Sequence, residues 1–397
     1  MADTQHHLNI LVVRTDNIGD VILSTPVLEA LKKHFPHCRV TFMVRDALVP
    51  LVKGLPHVDE VMVYDPVRRH AGLRGFFRLV GDFRQRALRI AIVLHSRRRI
   101  AMALFGAGVR YRIGPLSKIH SFIFFNRGIR QRRSEVEMHE TDYNLQLLRR
   151  IGIRIGTRTL PVRAHVSEDS REYARKWLEM HGWKPGEGGV VAVHPGMGGS
   201  ALNWPQTHYA ELIHRLCDEG RPVLVTGGVL EGDLLTRMRE MIGQPAAGTE
   251  WKYKPMFFGG EDAGSVGRLA GLYSFVDVLV APSTGPMHLA VALGKRVVTF
   301  YPPIKVQSAI RWGPYCMDEE RTTILVPEFY CGEEFECRGS LCNYYPCMRS
   351  LSVMRALHYI HRQLEAAAVE ERAARDAKKR AEDETTETTA AAAKRKP

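Results

Sequence analysis

Long apolar runs are missing from this sequence of 397 residues. No segment approaches the roughly 18 to 20 uninterrupted apolar residues that a membrane-spanning helix requires. Residues 1–9 are polar and carry a carboxylate, whereas a secretory signal begins with basic residues and continues with apolar ones. We therefore expect a cytoplasmic protein. The composition, 45% hydrophobic and 25% charged, is typical of a globular chain and excludes general disorder.

The signature motifs of several protein classes are also missing. No Gly-x-Gly-x-x-Gly follows the first predicted strand, which counts against a dehydrogenase or a nucleotide-sugar epimerase. The basic part of the chain contains no zinc-finger spacing, helix-turn-helix pattern or aromatic-rich RNA-binding signature. We therefore expect no nucleic-acid partner.

Cysteine is scarce, but four of the seven cysteines lie close together near the C-terminus. Cys331, Cys337, Cys342 and Cys347 are separated by five, four and four residues. In a cytosolic chain this pattern is compatible with a structural zinc site, a reduced and partly buried loop, or a redox-labile pair. The tight Cys-x-x-Cys pair of most zinc knuckles is absent, so the three interpretations stay open.

Positive charge is abundant and unevenly distributed. Residues 1–165 contain 28 Lys and Arg against 13 Asp and Glu, whereas the rest of the chain contains 28 against 30. Clusters such as Arg68-Arg69 and Arg97-Arg98-Arg99 are mostly Arg, whose planar fork fits phosphate and carboxylate oxygens. The asymmetry predicts an anionic partner, either an acidic substrate or a membrane surface, although any single cluster could be a solvated face.

Strand-like and helix-like apolar patterns alternate along the chain, which predicts parallel sheets covered by helices. The predicted strands are 10–13, 40–44, 60–64 and 90–94 in the first part, and 190–193, 222–226, 278–281 and 296–300 in the second. A helix is predicted over 21–34, and further helices over 205–219, 231–242 and 286–293. We expect an α/β protein of two doubly wound domains, 1–162 and 163–348, followed by a helix over 349–366 and a low-complexity tail over 367–397. The tail could extend this helix for some turns, but we expect residues 385–397 to be disordered.

The first predicted strand is followed by a loop that places a glycine and a carboxylate at the start of a helix. This loop ends in Asn17-Ile-Gly-Asp20. Free backbone N–H groups and the helix dipole favour an ionised carboxylate at such a start, so Asp20 is a candidate general base. A carboxylate there can also serve only to cap the helix, and the spacing leaves both interpretations open.

Two further loops combine small residues with a helix start, a pattern that binds phosphate. One follows the predicted strand 190–193 and contains Gly196 and Met197, but a lone Gly-rich stretch is a weak signal. The other, Ser283-Thr-Gly-Pro-Met-His288, offers hydroxyl groups, a glycine and helix-terminal N–H groups to an anion. Helix capping would explain its first four residues but not His288, so we expect an anion site here.

Together these motifs resemble those of glycosyltransferase family 9, which includes the ADP-heptose-dependent heptosyltransferases of lipopolysaccharide synthesis. The resemblance rests on Asn17-Ile-Gly-Asp20 and Leu23-Ser-Thr-Pro26 in the first part, and on Asn203-Trp-Pro205 and Ser283-Thr-Gly-Pro-Met-His288 in the second. It implies the GT-B architecture, in which two Rossmann-like domains face a cleft. It also implies that the first domain binds the acceptor and the second binds the nucleotide sugar.

The resemblance implies an inverting transfer without a metal cofactor, in which Asp20 deprotonates the acceptor hydroxyl. The residues implied to bind the donor are Gly196, Met197, Ser283, Thr284, Gly285 and His288, and those implied to bind an acidic acceptor are Arg14, Asn17, Arg68 and Arg69. The expected partners are a nucleotide-diphosphate sugar such as ADP-heptose, an anionic lipopolysaccharide-core or related glycolipid acceptor, and the surface of the inner membrane.

Two positions depart from the family pattern. Leu202 stands where these transferases commonly carry a Lys, and Ser283 stands where they carry an Asp before Thr-Gly. Both family residues contact the donor phosphate or sugar. The departures leave open a different nucleotide sugar, or a protein of the same fold that binds a nucleotide or polyanion without transferring a sugar.

Overall fold

Two sheets of parallel strands form the framework of the protein. The computed structural model describes residues 8–199, 201–260, 264–329, 331 and 337–393. The first sheet has the strand order β3-β2-β1-β4-β5. Its strands are β1 (Asn9–Val13), β2 (Arg39–Val44), β3 (Glu60–Val63), β4 (Ile90–Val93) and β5 (Tyr111–Ile113). The helices of this part are α1 (Ile18–Ile22), α2 (Thr25–His34), α3 (Val49–Val52), α4 (Gly72–Gln85), α5 (Arg98–Gly106), α6 (Ile119–Phe124) and α7 (Glu140–Gln146).

The second sheet has the strand order β11-β10-β9-β6-β7-β8. Its strands are β6 (Val190–Val193), β7 (Val223–Thr226), β8 (Met256–Phe258), β9 (Val276–Pro282), β10 (Arg296–Phe300) and β11 (Thr322–Leu325). The helices of this part are α8 (Glu168–Met180), α9 (Gln206–Asp218), α10 (Gly232–Ile242), α11 (Val266–Tyr273), α12 (Gly285–Ala292), α13 (Ala309–Trp312) and α14 (Val353–Ala393).

Side chains of the central strands alternate between two buried faces of each sheet. In β1, Ile10 and Val12 pack into one apolar cluster, whereas Leu11 and Val13 pack into another. The strands of the second sheet follow the same rule of alternation. Because helices cover both faces, the strands are short, continuous apolar runs, which is why the sequence pattern identifies them.

The strand orders determine where a ligand can bind. Strand order reverses between β1 and β4 in the first sheet and between β6 and β9 in the second. In open parallel sheets the loops at the carboxyl ends of such strands form a crevice. The loops after β1 and β9 meet across this crevice, because α1 and α12 are in contact.

This architecture confirms the expected α/β fold of two doubly wound sheets that face a cleft. The predicted strands 190–193 and 296–300 coincide with β6 and β10. The helix predicted over 21–34 is instead two helices, α1 and α2, because the chain turns at Leu23 and Ser24 and Pro26 occupies the first turn of α2. The domain limits 1–162 and 163–348 stay predictions.

The last helix extends beyond the core. Val353, Ala356 and Ile360 anchor the start of α14 in the apolar cluster of the second sheet. The sequence predicts a low-complexity tail over 367–397, and the backbone there is helical through Ala393, because Ala, Glu, Lys and Arg are strong helix formers. Among the residues described, none of the helices combines the length and the apolar character needed to cross a bilayer.

Candidate active site

Two helix starts from different halves of the chain touch across the cleft. α1 follows β1, and α12 follows β9. A Cβ atom placed on Gly19 would lie 2.8 Å from Cδ2 of His288, and one placed on Gly285 would lie 3.0 Å from Cβ of Ile18. Glycine at these two positions therefore allows the helix starts to approach each other.

Asp20 lies in the first turn of α1 and is held by an arginine that directly follows β1. Arg14 donates from Nη2 to Oδ1 of Asp20. Arg14 is buried, and its remaining nitrogens contact two further carboxylates: Nε lies 3.0 Å from Oδ2 of Asp16, and Nη1 lies 3.2 Å from Oε1 of Glu140. The side chain of Asp20 keeps 17% of its surface exposed, so it stays accessible from the cleft.

Burial raises the pKa of the Asp20 carboxyl; Arg14 opposes this shift, and Asp16 and Glu140 reinforce it. The helix start alone predicts the opposite direction, but in this loop burial outweighs the helix dipole. Asp20 is not the N-cap of α1, a position that Asn17 occupies. A raised pKa makes the carboxylate a better proton acceptor, which suits the predicted role as general base.

Asp16 lies in the same loop but has the opposite electrostatic character. It accepts a hydrogen bond from Nη2 of Arg97 at 2.7 Å and lies 2.8 Å from Nδ1 of His95. Burial opposes ionisation, yet His95, Arg14 and Arg97 together lower the pKa of Asp16 well below its usual range. Two neighbouring carboxyls whose pKa values are shifted in opposite directions are typical of an active site in which the two groups have different roles. Asp20, whose pKa is raised, is the candidate base.

Glu140, which begins α7, connects the Asp20 loop to the second half of the chain. It is fully buried. Its Oε1 accepts hydrogen bonds from Arg14 and Arg133, and its Oε2 accepts from Nε and Nη2 of Arg311 at 3.2 and 3.1 Å. Although burial disfavours the charge, Arg133, Arg14 and Arg311 lower the pKa of Glu140. Because Arg311 belongs to α13, this ion cluster joins the two halves at the site.

The predicted donor residues of the loop after β9, which begins at Ser283, line a cavity of about 1110 Å³ that Asp20 also lines. Its walls include Asn17, Gly19, Asp20, Ser283, Thr284, Gly285 and His288. Burial, together with the charge of His139, lowers the pKa of His288 to about 3, so the imidazole is neutral. Its Nδ1 is buried and has no hydrogen-bond partner among the described residues. A helix N-terminus beside an unmatched imidazole nitrogen suits an anionic group.

The glycine-rich loop after β6 contributes other residues to this cavity than the resemblance implies. Gly198 and Ala201 line it, whereas its described lining does not include Gly196 or Met197. Gly196 is buried, and a Cβ atom there would lie 2.2 Å from Oε1 of Glu231. A side chain at position 196 would therefore displace the carboxylate of Glu231.

A second cavity, of about 530 Å³, also reaches Asp20 and is rich in cations. The basic residues that line it are Arg14, Arg45, His95, Arg97, Lys118, Arg133 and Arg311. Asn17 lines both cavities. Arg68 and Arg69 are not among the described residues of either cavity: Arg68 is exposed, and Arg69 lies 2.8 Å from Asp82. The structure does not bring them to the site, because they follow the edge strand β3.

The cysteine cluster is also a cluster in space. Burial raises the pKa of Cys347, and Cys331, Cys337 and Cys342 raise it further. Backbone N–H groups of the intervening turns donate to Sγ of Cys337 and Cys342 at 3.3 and 3.4 Å. The described part of the chain nevertheless contains no group of three or more His, Cys, Asp or Glu placed to hold a metal ion. The structure therefore gives the zinc hypothesis no support.

Several residues of the site are not among the predicted site residues. His95 is one of them, and Arg97 was predicted only as part of a basic cluster. Both follow β4, the neighbour of β1, so the rule that ligands bind at strand ends could have identified them. Glu140 and Arg311 follow no strand and stand in no motif, and tertiary structure alone brings them to Arg14.

Comparisons with known proteins show similarity to glycosyltransferases. Residues 76–344 match the sequence model of glycosyltransferase family 9 (heptosyltransferase). Lipopolysaccharide heptosyltransferase 2 of Escherichia coli (strain K12) is 25% identical over 303 residues, which cover 75% of this chain and 83% of that protein. The crystal structure of a family 9 glycosyl transferase from Veillonella parvula DSM 2008 matches with a TM-score of 0.75 and 20% identity, over 90% of this chain and 98% of the other. The structure of E. coli ADP-heptose lps heptosyltransferase II matches with a TM-score of 0.70 and 20% identity, over 90% and 99%.

Proposed function

Because the chain belongs to glycosyltransferase family 9 and is therefore a glycosyltransferase, we propose that it transfers a sugar from a nucleoside-diphosphate sugar to an acidic, lipid-linked oligosaccharide. The observation that carries this proposal is the meeting of α1 and α12, where Asp20 and His288 line one cavity. A proton acceptor on one wall faces an anion-binding helix start on the other. The domain around the first sheet, 1–162, would hold the acceptor, and the domain around the second, 163–348, the donor.

In the proposed reaction Asp20 removes the proton of an acceptor hydroxyl. The hydroxyl oxygen attacks the anomeric carbon while the bond from that carbon to the diphosphate oxygen breaks, so the configuration inverts and the nucleoside diphosphate leaves with the bonding electrons. The N–H groups at the start of α12, the Thr284 hydroxyl and the neutral His288 ring would stabilise the negative charge on the diphosphate. We propose that these groups suffice without a bound metal ion, so that a chelator leaves turnover unchanged.

ADP-heptose is the donor that we propose first, because the similar E. coli heptosyltransferase II is named for it. The two departures give a reason to test other donors. Ser283 lines the donor cavity, and the N–H group of Leu202 donates to Oε1 of Gln307, another lining residue, at 3.0 Å. Ser283 in the wall and Leu202 next to the wall are both neutral, whereas family members commonly carry charged residues at these two positions.

A panel of nucleotide sugars tests the donor, because a ligand that binds only the folded state raises the melting temperature in proportion to ln(1 + [L]/Kd). We expect ADP-heptose to stabilise the protein more than GDP-, UDP- or dTDP-sugars. Preference for another nucleotide would leave the proposed transfer standing but would replace the donor.

We propose that the acceptor is acidic and related to lipopolysaccharide, for which the E. coli relative is named. Support comes from the basic second cavity, where Arg45, Arg97 and Lys118 stand within reach of phosphate or carboxylate groups. We propose that the transfer takes place at the cytoplasmic face of the inner membrane.

The substitution Asp20→Asn tests the role of the base. We expect turnover to fall by about 100-fold or more, because positioned bases contribute roughly 10²–10⁴-fold. Donor affinity, measured by calorimetry with the nucleoside diphosphate, should change little. The matched control is Asp233→Asn, which removes an exposed first-turn carboxylate from α10. Equal loss of turnover and of donor affinity in Asp20→Asn would contradict the assignment.

A further inference from the structure

One outer face of the first half exposes large apolar side chains. α5 packs against both α4 and α6, and together these helices form the α4–α6 face, residues 72–85, 98–106 and 119–124. Its exposed apolar side chains are Leu73 (80%), Phe77 (68%), Met102 (37%), Phe105 (55%), Ile119 (84%), Phe122 (60%) and Ile123 (65%). A concentration of exposed apolar residues on adjacent helices marks an interaction surface.

The surroundings of this face are strongly basic. Residues 66–134 contain sixteen Arg and one Lys, and their single carboxylate is Asp82. Asp82 is buried and lies 2.8 Å from Arg69 and 3.0 Å from His70. Five of these arginines pair with carboxylates, most of which lie outside this range, but Arg74 and Arg78 are exposed on α4 itself. The face therefore carries an excess of positive charge.

The α4–α6 face borders the basic cavity. Lys118 lines the cavity, and α6 begins at the next residue, Ile119. The hydroxyl of Ser96, another lining residue, lies 2.8 Å from Nε2 of His120 and 2.7 Å from Oγ of Ser121. These contacts fix α6 at the rim of the cavity.

We propose that the α4–α6 face docks on the surface of an anionic phospholipid bilayer. Its aliphatic and aromatic side chains would enter the boundary between headgroups and acyl chains, while the arginines contact lipid phosphates. Docking places the rim of the basic cavity at the membrane, where a lipid-linked acceptor is found. Docking itself needs neither donor nor acceptor, and only its use in acceptor delivery rests on the proposed function.

Vesicle co-sedimentation of the full chain, without substrates, tests the docking. We expect binding to phosphatidylcholine vesicles that contain phosphatidylglycerol, weakening as salt rises, and little binding to pure phosphatidylcholine. The double substitution Phe122→Ser with Ile123→Ser should weaken binding by about tenfold or more. Burial of even one large apolar side chain contributes more binding free energy than a tenfold change in affinity corresponds to. A second variant, Leu73→Ser with Phe77→Ser, tests α4 independently.

The matched control is Met180→Ser with Met354→Ser, which removes apolar side chains that are 75% and 57% exposed on helices of the second half. All variants are first checked by thermal melting, and we expect unchanged turnover on a soluble, delipidated acceptor. Equal vesicle binding by the wild type and both face variants would overturn the docking. The docking would also be overturned if the wild type were a dimer and the face variants, but not the control, were monomers. Salt-sensitive binding to nucleic acid without binding to vesicles would overturn it as well. Failed transfer with intact vesicle binding would refute the proposed function alone.

Discussion

Replacing Glu140 with Gln tests how the ion cluster controls the candidate base. Glu140 is buried among Arg14, Arg133 and Arg311, and Gln keeps its shape while removing its charge. Loss of one partner from a buried ion pair costs about 3 to 5 kcal/mol, because the remaining charges stay buried. Gln retains an acceptor oxygen, and the side chains of Arg133 and Arg311 are each 18% exposed. We therefore expect a loss of stability at the lower end of this range.

A loss of about 3 kcal/mol in the free energy of unfolding corresponds to a fall in melting temperature of about 6 °C, at about 2 °C per kcal/mol. The folded pKa of Glu140 is lowered, so its stabilisation is complete above the unfolded value of 4.5 and is lost as pH falls through the folded value. The difference in melting temperature between wild type and Glu140→Gln should therefore be largest at neutral pH and shrink in acid.

The same substitution should shift the pH dependence of catalysis. The charge of Glu140 raises the pKa of Asp20, so its removal lowers that pKa. The acidic limb of the kcat/KM profile reports the free base and should move to lower pH, with a lower plateau because the base is weaker. In the control Glu135→Gln, which loses an exposed pair with Arg132 at 3.4 Å, neither property should change. A lower melting temperature with an unmoved acidic limb would refute the coupling of Glu140 to Asp20.

Three further substitutions test the contacts around the cleft. Gly19→Ala places a Cβ 2.8 Å from His288. Steady-state kinetics should show a loss in kcat of about 10-fold or more, because a small misplacement of the reacting groups can cost 10²-fold. The control Gly232→Ala, whose Cβ meets nothing within 4 Å, should leave kcat unchanged. His288→Gln should weaken nucleoside-diphosphate binding in calorimetry by about tenfold, the value of one hydrogen bond to a charged group. Because the pKa of His288 is lowered to about 3, wild-type affinity should show no histidine titration across about pH 5 to 8. Lys118→Ala should raise the KM for a soluble acceptor by about fivefold with little change in kcat. The control Arg68→Ala should leave this KM unchanged, because Arg68 is outside the described lining of both cavities.

The buried strands could be predicted because each is a local apolar pattern bounded by turns. β6 and β10 have the predicted limits, since strands covered on both faces contain few polar residues. Three strands lie outside the prediction. β5 and β8 have three residues each, too short to show a period, and β11 is an edge strand that begins with two threonines and buries only one side chain. The break between α1 and α2 depends on two residues and a proline, which a helical apolar pattern over 21–34 conceals.

The arginines show why the site could be predicted only in part. The family resemblance implies that Arg14, Arg68 and Arg69 all bind the acceptor, but they have different surroundings in the structure. Arg14 lines the basic cavity, where three carboxylates enclose it and it positions Asp20. Arg68 and Arg69 follow the edge strand β3 and border a surface rather than the cleft. Composition thus predicts that the partner is anionic, whereas strand order determines which arginines line the cavities at the cleft and which lie away from them.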